Sequence, residues 1–236
     1  MINYAHRGAS EYAPENTLSS FYLGLLQGAN GIETDVQKTK DGVLVLFHDD
    51  ELDRVSDHTG KLCDYTWEEL QKVKIFGNCK NGFYDRIPTL REFLEKFSPY
   101  DIQFAIELKG PDVEKESLEM AKEFGILGNT TFTSFELSYI QKIKEMDPSA
   151  RVGYLAEGLS DELTDKLLSF GCEEMAPEAE TITPQWMEKW RSAGLGVRAW
   201  GVYNTDLMEQ MCRIGVDGMT VNFPDKLCAY MKENHR

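Results

Sequence analysis

The stretch RVGYLAEGLSDELTDKLLSFGCEEMAPE, residues 151–178, contains one complete strand–helix–strand unit. RVGYLA and EEMAPE are predicted to be short buried strands. Between them, Ser160 can cap a helix and Gly171 can end it, so SDELTDKLLSFG is predicted to be helical. A strand, a helix and a second strand in this order are typical of α/β proteins.

The same unit recurs along the chain. Six further strands are predicted, at INYAH (2–6), GIETDVQ (31–37), FAIELK (104–109), TTFTSF (130–135), GVRAWGV (196–202) and GMTVNF (218–223). Helices with similar ends lie between most of them, such as TPQWMEKWRSAG, with Thr183 as its cap and Pro184 in its first turn. Eight strands alternating with helices favour a (β/α)8 TIM barrel, with a doubly wound open sheet as the alternative. We predict a single domain over residues 1–236.

One segment after the second strand interrupts the alternation. KDG, residues 40–42, is a turn signal, and VLVLFH after it is another strand, so a hairpin is predicted. An insertion of about residues 49–88 follows, with a short helix at TWEELQKV and a glycine-rich loop at GNCKNG, residues 77–82. Because long barrel loops usually bind or cover something, we expect the insertion to cover the barrel mouth and limit substrate size.

Composition excludes several classes of protein. The chain has 236 residues, of which 42% are hydrophobic and 28% are charged, as in a globular protein. Its net charge of −15 argues against binding to nucleic acid, which requires a basic surface. No run approaches about 18 apolar residues and no signal-peptide pattern is present, so we expect a cytoplasmic protein without stable membrane insertion. Its five scattered cysteines are expected to be reduced thiols.

Two predicted strands carry charged residues on one face. Glu33 and Asp35 are two residues apart and share a face of their strand, as do Glu107 and Lys109 on theirs. Three buried carboxylates are costly unless a cation compensates them, although a buried Glu–Lys ion pair would explain part of the pattern. Oxygen ligands without cysteine favour Mg²⁺ or Ca²⁺ over zinc. Glu33, Asp35 and Glu107 are therefore predicted to bind a divalent metal ion.

Two histidines end predicted strands near these carboxylates. His6 ends the first strand, and His48 ends VLVLFH. One histidine at a strand end is usually an ordinary surface residue, but two beside a carboxylate cluster can exchange protons with an anionic substrate. Arg7 and Lys109 supply positive charge there, and arginine can bind a phosphate through two hydrogen bonds.

These residues lie in motifs that resemble the glycerophosphodiester phosphodiesterase family. The matching stretches are HRGAS with APENT, GIETDVQKTKDGVLVLFHDDELDRVSDHTG, IPTLREFLE, IELK, TSF, RAWGV and GVDGMTVNFPD, and they span nearly the whole chain. The resemblance implies a (β/α)8 barrel with a small insertion after the second strand. It also implies metal-dependent hydrolysis of a small glycerophosphodiester to glycerol 3-phosphate and an alcohol.

The resemblance also implies three kinds of role for eight residues. These roles are acid–base catalysis for His6 and His48, metal binding for Glu33, Asp35 and Glu107, and substrate binding for Arg7, Lys109 and Trp200. Packing within the barrel would explain Trp200 equally well.

Two late motifs depart from the family pattern. The family usually has Thr-Val-Asn after the tryptophan, where this chain has Gly201, Val202 and Tyr203. Near the end it tends to have Thr-Asp, where this chain has Val221 and Asn222. Asn222 can still cap the last helix, so we expect these departures to alter the substrate pocket and not the chemistry.

Two other functions are considered. A phospholipase-type phosphodiesterase, acting on phospholipids or lysophospholipids through a cyclic phosphate, would need an exposed apolar rim, for which the insertion offers only KIFG. A non-catalytic binding module would lack a histidine or a carboxylate of the site, and none is missing. Hydrolysis of glycerophosphodiesters is therefore the main prediction.

Overall fold

A computed structural model of the chain describes residues 1–77 and 83–234. The strands in this part are β1 (Ile2–His6), β2 (Gly31–Lys38), β3 (Leu44–Leu46), β4 (Lys74–Phe76), β5 (Tyr84–Arg86), β6 (Gln103–Leu108), β7 (Thr130–Ser134), β8 (Arg151–Ala156), β9 (Glu174–Pro177), β10 (Gly196–Val202) and β11 (Gly218–Val221). The α-helices are α1 (Leu18–Leu26), α2 (Trp67–Leu70), α3 (Leu90–Phe97), α4 (Glu114–Glu123), α5 (Leu137–Met146), α6 (Asp161–Ser169), α7 (Pro184–Ser192), α8 (Thr205–Ile214) and α9 (Pro224–Glu233).

The main sheet is a closed barrel. Its order is β1-β11-β10-β9-β8-β7-β6-β2, and an additional pairing between β1 and β2 closes the ring. Both pairings of β1 are parallel, as are those between the other barrel strands. The predicted (β/α)8 barrel is therefore confirmed, and the open sheet was the wrong alternative.

The alternation of side chains along each strand separates the outer core from the barrel interior. On β6, Phe104, Ile106 and Leu108 are each at most 1% exposed and belong to the main hydrophobic core. The ring of Phe104 packs edge-on against Phe93 of α3, with 6.0 Å between centroids. Burying each such side chain contributes about 1.5 to 3 kcal/mol, which orients the strand. Glu107, the charged residue between Ile106 and Leu108, must therefore face the barrel interior.

The predicted helix ends are observed. The Oγ of Ser160 accepts a hydrogen bond from the backbone N–H of Leu163 at 3.0 Å, and α6 begins directly after this cap. Thr183 caps α7 in the same way, and Pro184 occupies its first turn. Gly171 follows α6 with a φ of +79°, a conformation that favours glycine.

The segment after β2 forms the predicted hairpin, because β3 pairs antiparallel with β2. The predicted helix at TWEELQKV is shorter than expected and comprises only α2, which Thr66 and Glu69 cap reciprocally. The insertion also contains an antiparallel ribbon of β4 and β5, which we did not predict. Most of the predicted loop GNCKNG lies outside the described residues. A small hydrophobic core holds this region together, comprising Val45, Phe47, Leu52, Leu62, Leu70, Val73, Ile75 and Ile87.

Cysteine and membrane predictions can be compared with the described part of the chain. Cys63, Cys172 and Cys228 carry free thiols, Cys212 is buried, and Cys79 lies outside the described residues. Among the helices in residues 1–77 and 83–234, none combines the length and apolarity needed to span a bilayer.

Candidate active site

Three carboxylates from two neighbouring strands meet inside the barrel. Glu33 and Asp35 lie on β2, and Glu107 lies on β6, where it pairs in register with Asp35. One oxygen of each carboxylate lies within 4.8 Å of the other two, and the residues are 3%, 0% and 7% exposed, respectively. The structure thus brings the three predicted metal ligands to one point, and we call them the carboxylate triad.

Burial and mutual repulsion determine how the carboxylate triad holds protons. Burial and the charges of Asp35 and Glu107 raise the pKa of Glu33 well above its usual value. Burial and Asp35 raise the pKa of Glu107 to about 7. Burial acts in the same direction on Asp35, but the charge of Arg7, further positive charge nearby and the hydrogen bond from Asn16 together outweigh it and hold the pKa of Asp35 below its usual range. The carboxylate triad thus relieves its repulsion by holding protons, and a bound cation would relieve the same repulsion.

One buried oxygen of the carboxylate triad lacks a hydrogen-bond partner among residues 1–77 and 83–234. The Oδ1 of Asp35 is buried and accepts no hydrogen bond from the residues that the structure describes. Buried carboxylate oxygens are normally satisfied, and a hard divalent cation satisfies them by coordination. Glu33, Asp35 and Glu107 therefore form a possible divalent-metal site.

A sharp turn after β1 brings Arg7 to the carboxylate triad. Arg7 has a φ of +54°, and Gly8 follows it with a φ of +84°. A Cβ on Gly8 would lie 2.3 Å from the Oγ of Ser20, so α1 can pack this closely only against glycine. The Nε of Arg7 lies 3.1 Å from the Oδ2 of Asp35, and its Nη1 donates a hydrogen bond to Glu15 at 3.0 Å.

His6, the last residue of β1, is held by an asparagine after β11. The Nδ1 of His6 lies 2.6 Å from the Oδ1 of Asn222. Because an amide oxygen only accepts hydrogen bonds, Nδ1 carries a proton and donates it to this bond. Burial and the charge of Arg7 lower the pKa of His6 to about 3, which keeps the ring neutral with its lone pair on Nε2. That Nε2 lies 3.9 Å from the Oε2 of Glu33.

The predicted capping role of Asn222 is wrong. Helix α9 begins at Pro224, its N-cap residue is Phe223, and no side-chain hydrogen bond caps it. The Oδ1 of Asn222 instead accepts hydrogen bonds from His6 and from the Oγ of Ser10, the latter at 3.0 Å.

His48 follows β3 and is held by its neighbour in sequence. Its Nδ1 lies 2.6 Å from the Oδ1 of Asp49. Burial would raise the pKa of Asp49, but hydrogen bonds from Arg54 and His48 hold it below its usual value. Asp49 is therefore a carboxylate that accepts a hydrogen bond from the Nδ1–H of His48, and the Nε2 of His48 is available to a substrate.

Lys109 lies one residue beyond β6 and contacts the carboxylate triad from the side. Its Nζ donates a hydrogen bond to the Oε1 of Glu107 at 3.2 Å. Burial would lower the pKa of Lys109, but the charges of Glu107 and Asp35 raise it, so the side chain is an ammonium.

A cavity of about 190 Å³ lies at the mouth of the barrel. We call it the catalytic cavity, and it is lined by His6, Arg7, Glu33, His48, Glu107, Phe135, Leu155, Arg198, Trp200, Gly201, Tyr203 and Thr220. Six of the eight predicted site residues line it. The other two predicted residues do not line it. Asp35 forms an ion pair with Arg7, and Lys109 lines a neighbouring depression.

The wall opposite the charged groups is aromatic. Trp200 packs edge-on against Phe135, with 5.3 Å between ring centroids, and Tyr203 beside them is 64% exposed. Trp200 thus borders the catalytic cavity and packs against a neighbour at the same time. The described residues of the insertion do not line the catalytic cavity. The lining of this cavity therefore does not support the expectation that the insertion limits the size of the substrate.

One charged residue of the catalytic cavity was missed. Arg198 is 2% exposed and donates hydrogen bonds to Glu174 and Thr220, both at 2.8 Å. Arg198 lies two residues before Trp200, so both side chains are on the same face of β10. This spacing is the signal in the sequence that predicts Arg198 in the cavity. Asp49 and Arg54 were also missed, although both lie in a stretch that resembles the family.

Comparison with known proteins agrees with this geometry. The model of the glycerophosphoryl diester phosphodiesterase family matches residues 6–226. A glycerophosphodiester phosphodiesterase of Caldanaerobacter subterraneus is 33% identical, with 94% of each chain covered. Human glycerophosphodiester phosphodiesterase 1 is 31% identical over 86% of this chain and 72% of its own.

A solved structure shares the same fold. It is a phosphodiesterase of Oleispira antarctica in complex with its product, sn-glycerol 3-phosphate, and it is 28% identical to this chain. The two superpose with a TM-score of 0.86 over 97% of this chain and 96% of the other. With its barrel, its carboxylate triad and these relatives, this chain belongs to the glycerophosphoryl diester phosphodiesterase family of enzymes.

Proposed function

We propose that this chain is a divalent-metal-dependent phosphodiesterase that hydrolyses glycerophosphodiesters to glycerol 3-phosphate and an alcohol. In this proposal His6 and His48 exchange the protons of the reaction. The observation that carries it is that both histidines line one cavity with two residues of the carboxylate triad. The glycerol 3-phosphate bound to the relative from Oleispira antarctica supports this choice of substrate.

The anionic phosphate must be bound by a protein whose net charge is −15. Arg7 lines the catalytic cavity and can present its guanidinium to two phosphate oxygens. Lys109 adds a second positive charge beside Glu107. A cation held by Glu33, Asp35 and Glu107 would, when bound, neutralise negative charge on the phosphoryl group and supply Lewis-acid activation.

The reaction requires a proton to leave the attacking oxygen, of water or of the substrate's own glycerol 2-hydroxyl, and another to reach the departing alkoxide. Each histidine has its Nδ1 committed to an oxygen acceptor, Asn222 for His6 and Asp49 for His48. Each therefore presents Nε2 to the substrate in a fixed orientation. One ring, neutral and with its lone pair on Nε2, removes the proton of the attacking oxygen. The other enters the step protonated at Nε2 as well and gives that proton to the alkoxide, which is a poor leaving group at neutral pH.

The test is an assay of glycerol 3-phosphate release from several glycerophosphodiesters, with glycerol 3-phosphate dehydrogenase as the coupling enzyme. We expect release that stops in excess chelator and resumes when Mg²⁺ or Ca²⁺ is added. Full activity in chelator, with no metal retained by elemental analysis, would contradict the metal requirement. Release of a cyclic phosphate from lysophospholipids, with no glycerol 3-phosphate from any diester, would favour the phospholipase-type alternative.

A further inference from the structure

Arg54 lies in the insertion and binds two carboxylates at once. Its Nη1 and Nη2 donate to the two oxygens of Glu15, at 2.9 and 2.7 Å. Its Nε and Nη2 donate to the two oxygens of Asp49, at 2.5 and 3.0 Å. The planar guanidinium therefore bridges a residue of the loop after β1 and a residue at the start of the insertion.

Each of these carboxylates also holds a residue of the catalytic cavity. The Oε1 of Glu15, which Arg54 contacts, accepts the hydrogen bond from Arg7 at 3.0 Å. The Oδ1 of Asp49, which Arg54 also contacts, accepts the hydrogen bond from His48 at 2.6 Å. The guanidinium of Arg54 thus contacts the hydrogen-bond acceptors of two side chains, Arg7, which is proposed to bind phosphate, and His48, which is proposed to exchange protons.

The charges along this chain of contacts alternate. Arg7 and Arg54 are positive, Glu15 and Asp49 are negative, and each arginine forms ion pairs with two carboxylates, Asp35 being the second partner of Arg7. Burial acts against ionisation of Glu15, but its hydrogen bonds to Arg54 and the charge of Arg7 hold its pKa below the usual value. The side chain of Arg54 is 48% exposed, so water screens part of each attraction. Exposed ion pairs still hold side chains in place when their geometry is bidentate and several charges form a network.

We propose that Arg54 is a positioning residue that sets the orientations of Arg7 and His48 together, through Glu15 and Asp49. The proposal rests on the function proposed above for these two residues. It also assigns a role to the insertion, whose described residues do not line the catalytic cavity. Through Arg54, the insertion orients Arg7 and His48 and does not need to contact the substrate.

The test compares Arg54→Ala with Arg86→Ala. Arg86 is a matched control because it also lies in the insertion, is 42% exposed and makes a bidentate ion pair, with Glu92, that does not reach the site. We expect Arg54→Ala to lower kcat/KM by about 10- to 100-fold, as losses of outer partners of a catalytic group do. Arg86→Ala should change it by less than about threefold, since exposed ion pairs away from a site contribute little.

Three further measurements distinguish positioning from a general loss of structure. Added guanidinium should restore part of the activity of Arg54→Ala, and Arg54→Lys should be intermediate, because one ammonium cannot bridge both carboxylates. Asp49→Asn should lower kcat with little change in KM. The double variant of Asp49→Asn and Arg54→Ala should lose less activation free energy than the two single variants lose in sum. The reason is that both substitutions act through His48.

A readout without substrate separates this proposal from the proposed function. The ¹⁵N shift of His48 Nδ1 and the exchange of its proton report the hydrogen bond to Asp49 directly. We expect Arg54→Ala to change both and Arg86→Ala to change neither. If the wild-type enzyme hydrolysed no glycerophosphodiester, the function would be wrong while this NMR comparison still decided the role of Arg54. Kinetics and His48 signals that were the same in both alanine variants would overturn the proposal.

Discussion

Asp35 on β2 lies opposite Glu107 on β6 in the parallel register of the two strands. With this neighbour and its own burial, Glu107 keeps a proton up to a pH of about 7, the value of its pKa. An unfolded chain would release the same proton near the ordinary pKa of 4.5. The register that brings the carboxylate triad together therefore makes the metal-free fold sensitive to pH.

The first prediction concerns stability in the presence of chelator. Between pH 4.5 and about 7 the folded state binds one more proton at Glu107 than the unfolded state, so stability falls as pH rises through this range. The full effect is about 3 kcal/mol, which corresponds to roughly 6 to 12 °C in Tm for a chain of this size. Thermal unfolding followed by circular dichroism at pH 5 and pH 8 measures it.

Glu107→Gln supplies the comparison for this prediction. The amide cannot ionise, so the variant should lose much of the dependence of Tm on pH. It should also lose most of the stabilisation that Mg²⁺ or Ca²⁺ gives the wild type at pH 8, because one ligand is gone. Equal dependence of Tm on pH in both proteins would show that Glu107 is not protonated in the folded state.

The second prediction concerns the histidines. One general acid or base contributes about 10²- to 10⁴-fold, so His6→Ala and His48→Ala should each lower kcat by at least that factor. The double variant should lose far less than the product of the two factors, because both residues act in one catalytic cycle. Near-wild-type turnover in His6→Ala, together with a large loss in Arg7→Ala, would assign His6 to positioning.

The third prediction separates two interpretations of Trp200. As a wall of the catalytic cavity, it should affect binding, so Trp200→Leu should raise KM by about 2- to 12-fold, the range for aromatic contacts. Trp190 is the matched control, because it is fully buried in the core on α7 and does not line the catalytic cavity. Trp190→Leu should lower Tm and leave KM near the wild-type value. The packing interpretation would be correct if Trp200→Leu lowered Tm similarly and left KM unchanged.

Local patterns were sufficient for the barrel and for the carboxylate triad. The alternation of Glu33 and Asp35 with apolar residues on β2 defines which face meets the helices, and the same holds for Glu107 on β6. Helix ends are equally local, since Ser160 and Gly171 act on neighbouring backbone groups. Such features depend on residues close in sequence, and a single chain displays them.

The missed features depend on contacts that only the closed fold creates. Asn222 lies 216 residues from His6, and the two meet because β1 pairs with β11. Arg54 reaches Glu15 across 39 residues, and its place depends on how the insertion folds over its own small core. The residues around Asn222 do not show whether it caps a helix or orients a histidine. In the same way, the residues around Arg54 do not show whether it is a surface charge or holds other side chains in place.

The last prediction tests what Asn222 does. If its amide oxygen holds the Nδ1 proton of His6, Asn222→Ala should lower kcat by about 10- to 100-fold with little change in KM, because the ring loses its fixed orientation and tautomer. Asn204 is the matched control, since its Oδ1 caps α8 by accepting from Leu207 at 2.9 Å. Asn204→Ala should cost about 1 kcal/mol of stability and leave kcat unchanged, as the loss of a helix cap does. Asn222→Asp keeps an acceptor at the same place, so it should retain more activity than the alanine variant. If Asn222→Ala behaved like Asn204→Ala, losing stability alone, the asparagine would be structural, and the orientation of His6 would depend on its other neighbours.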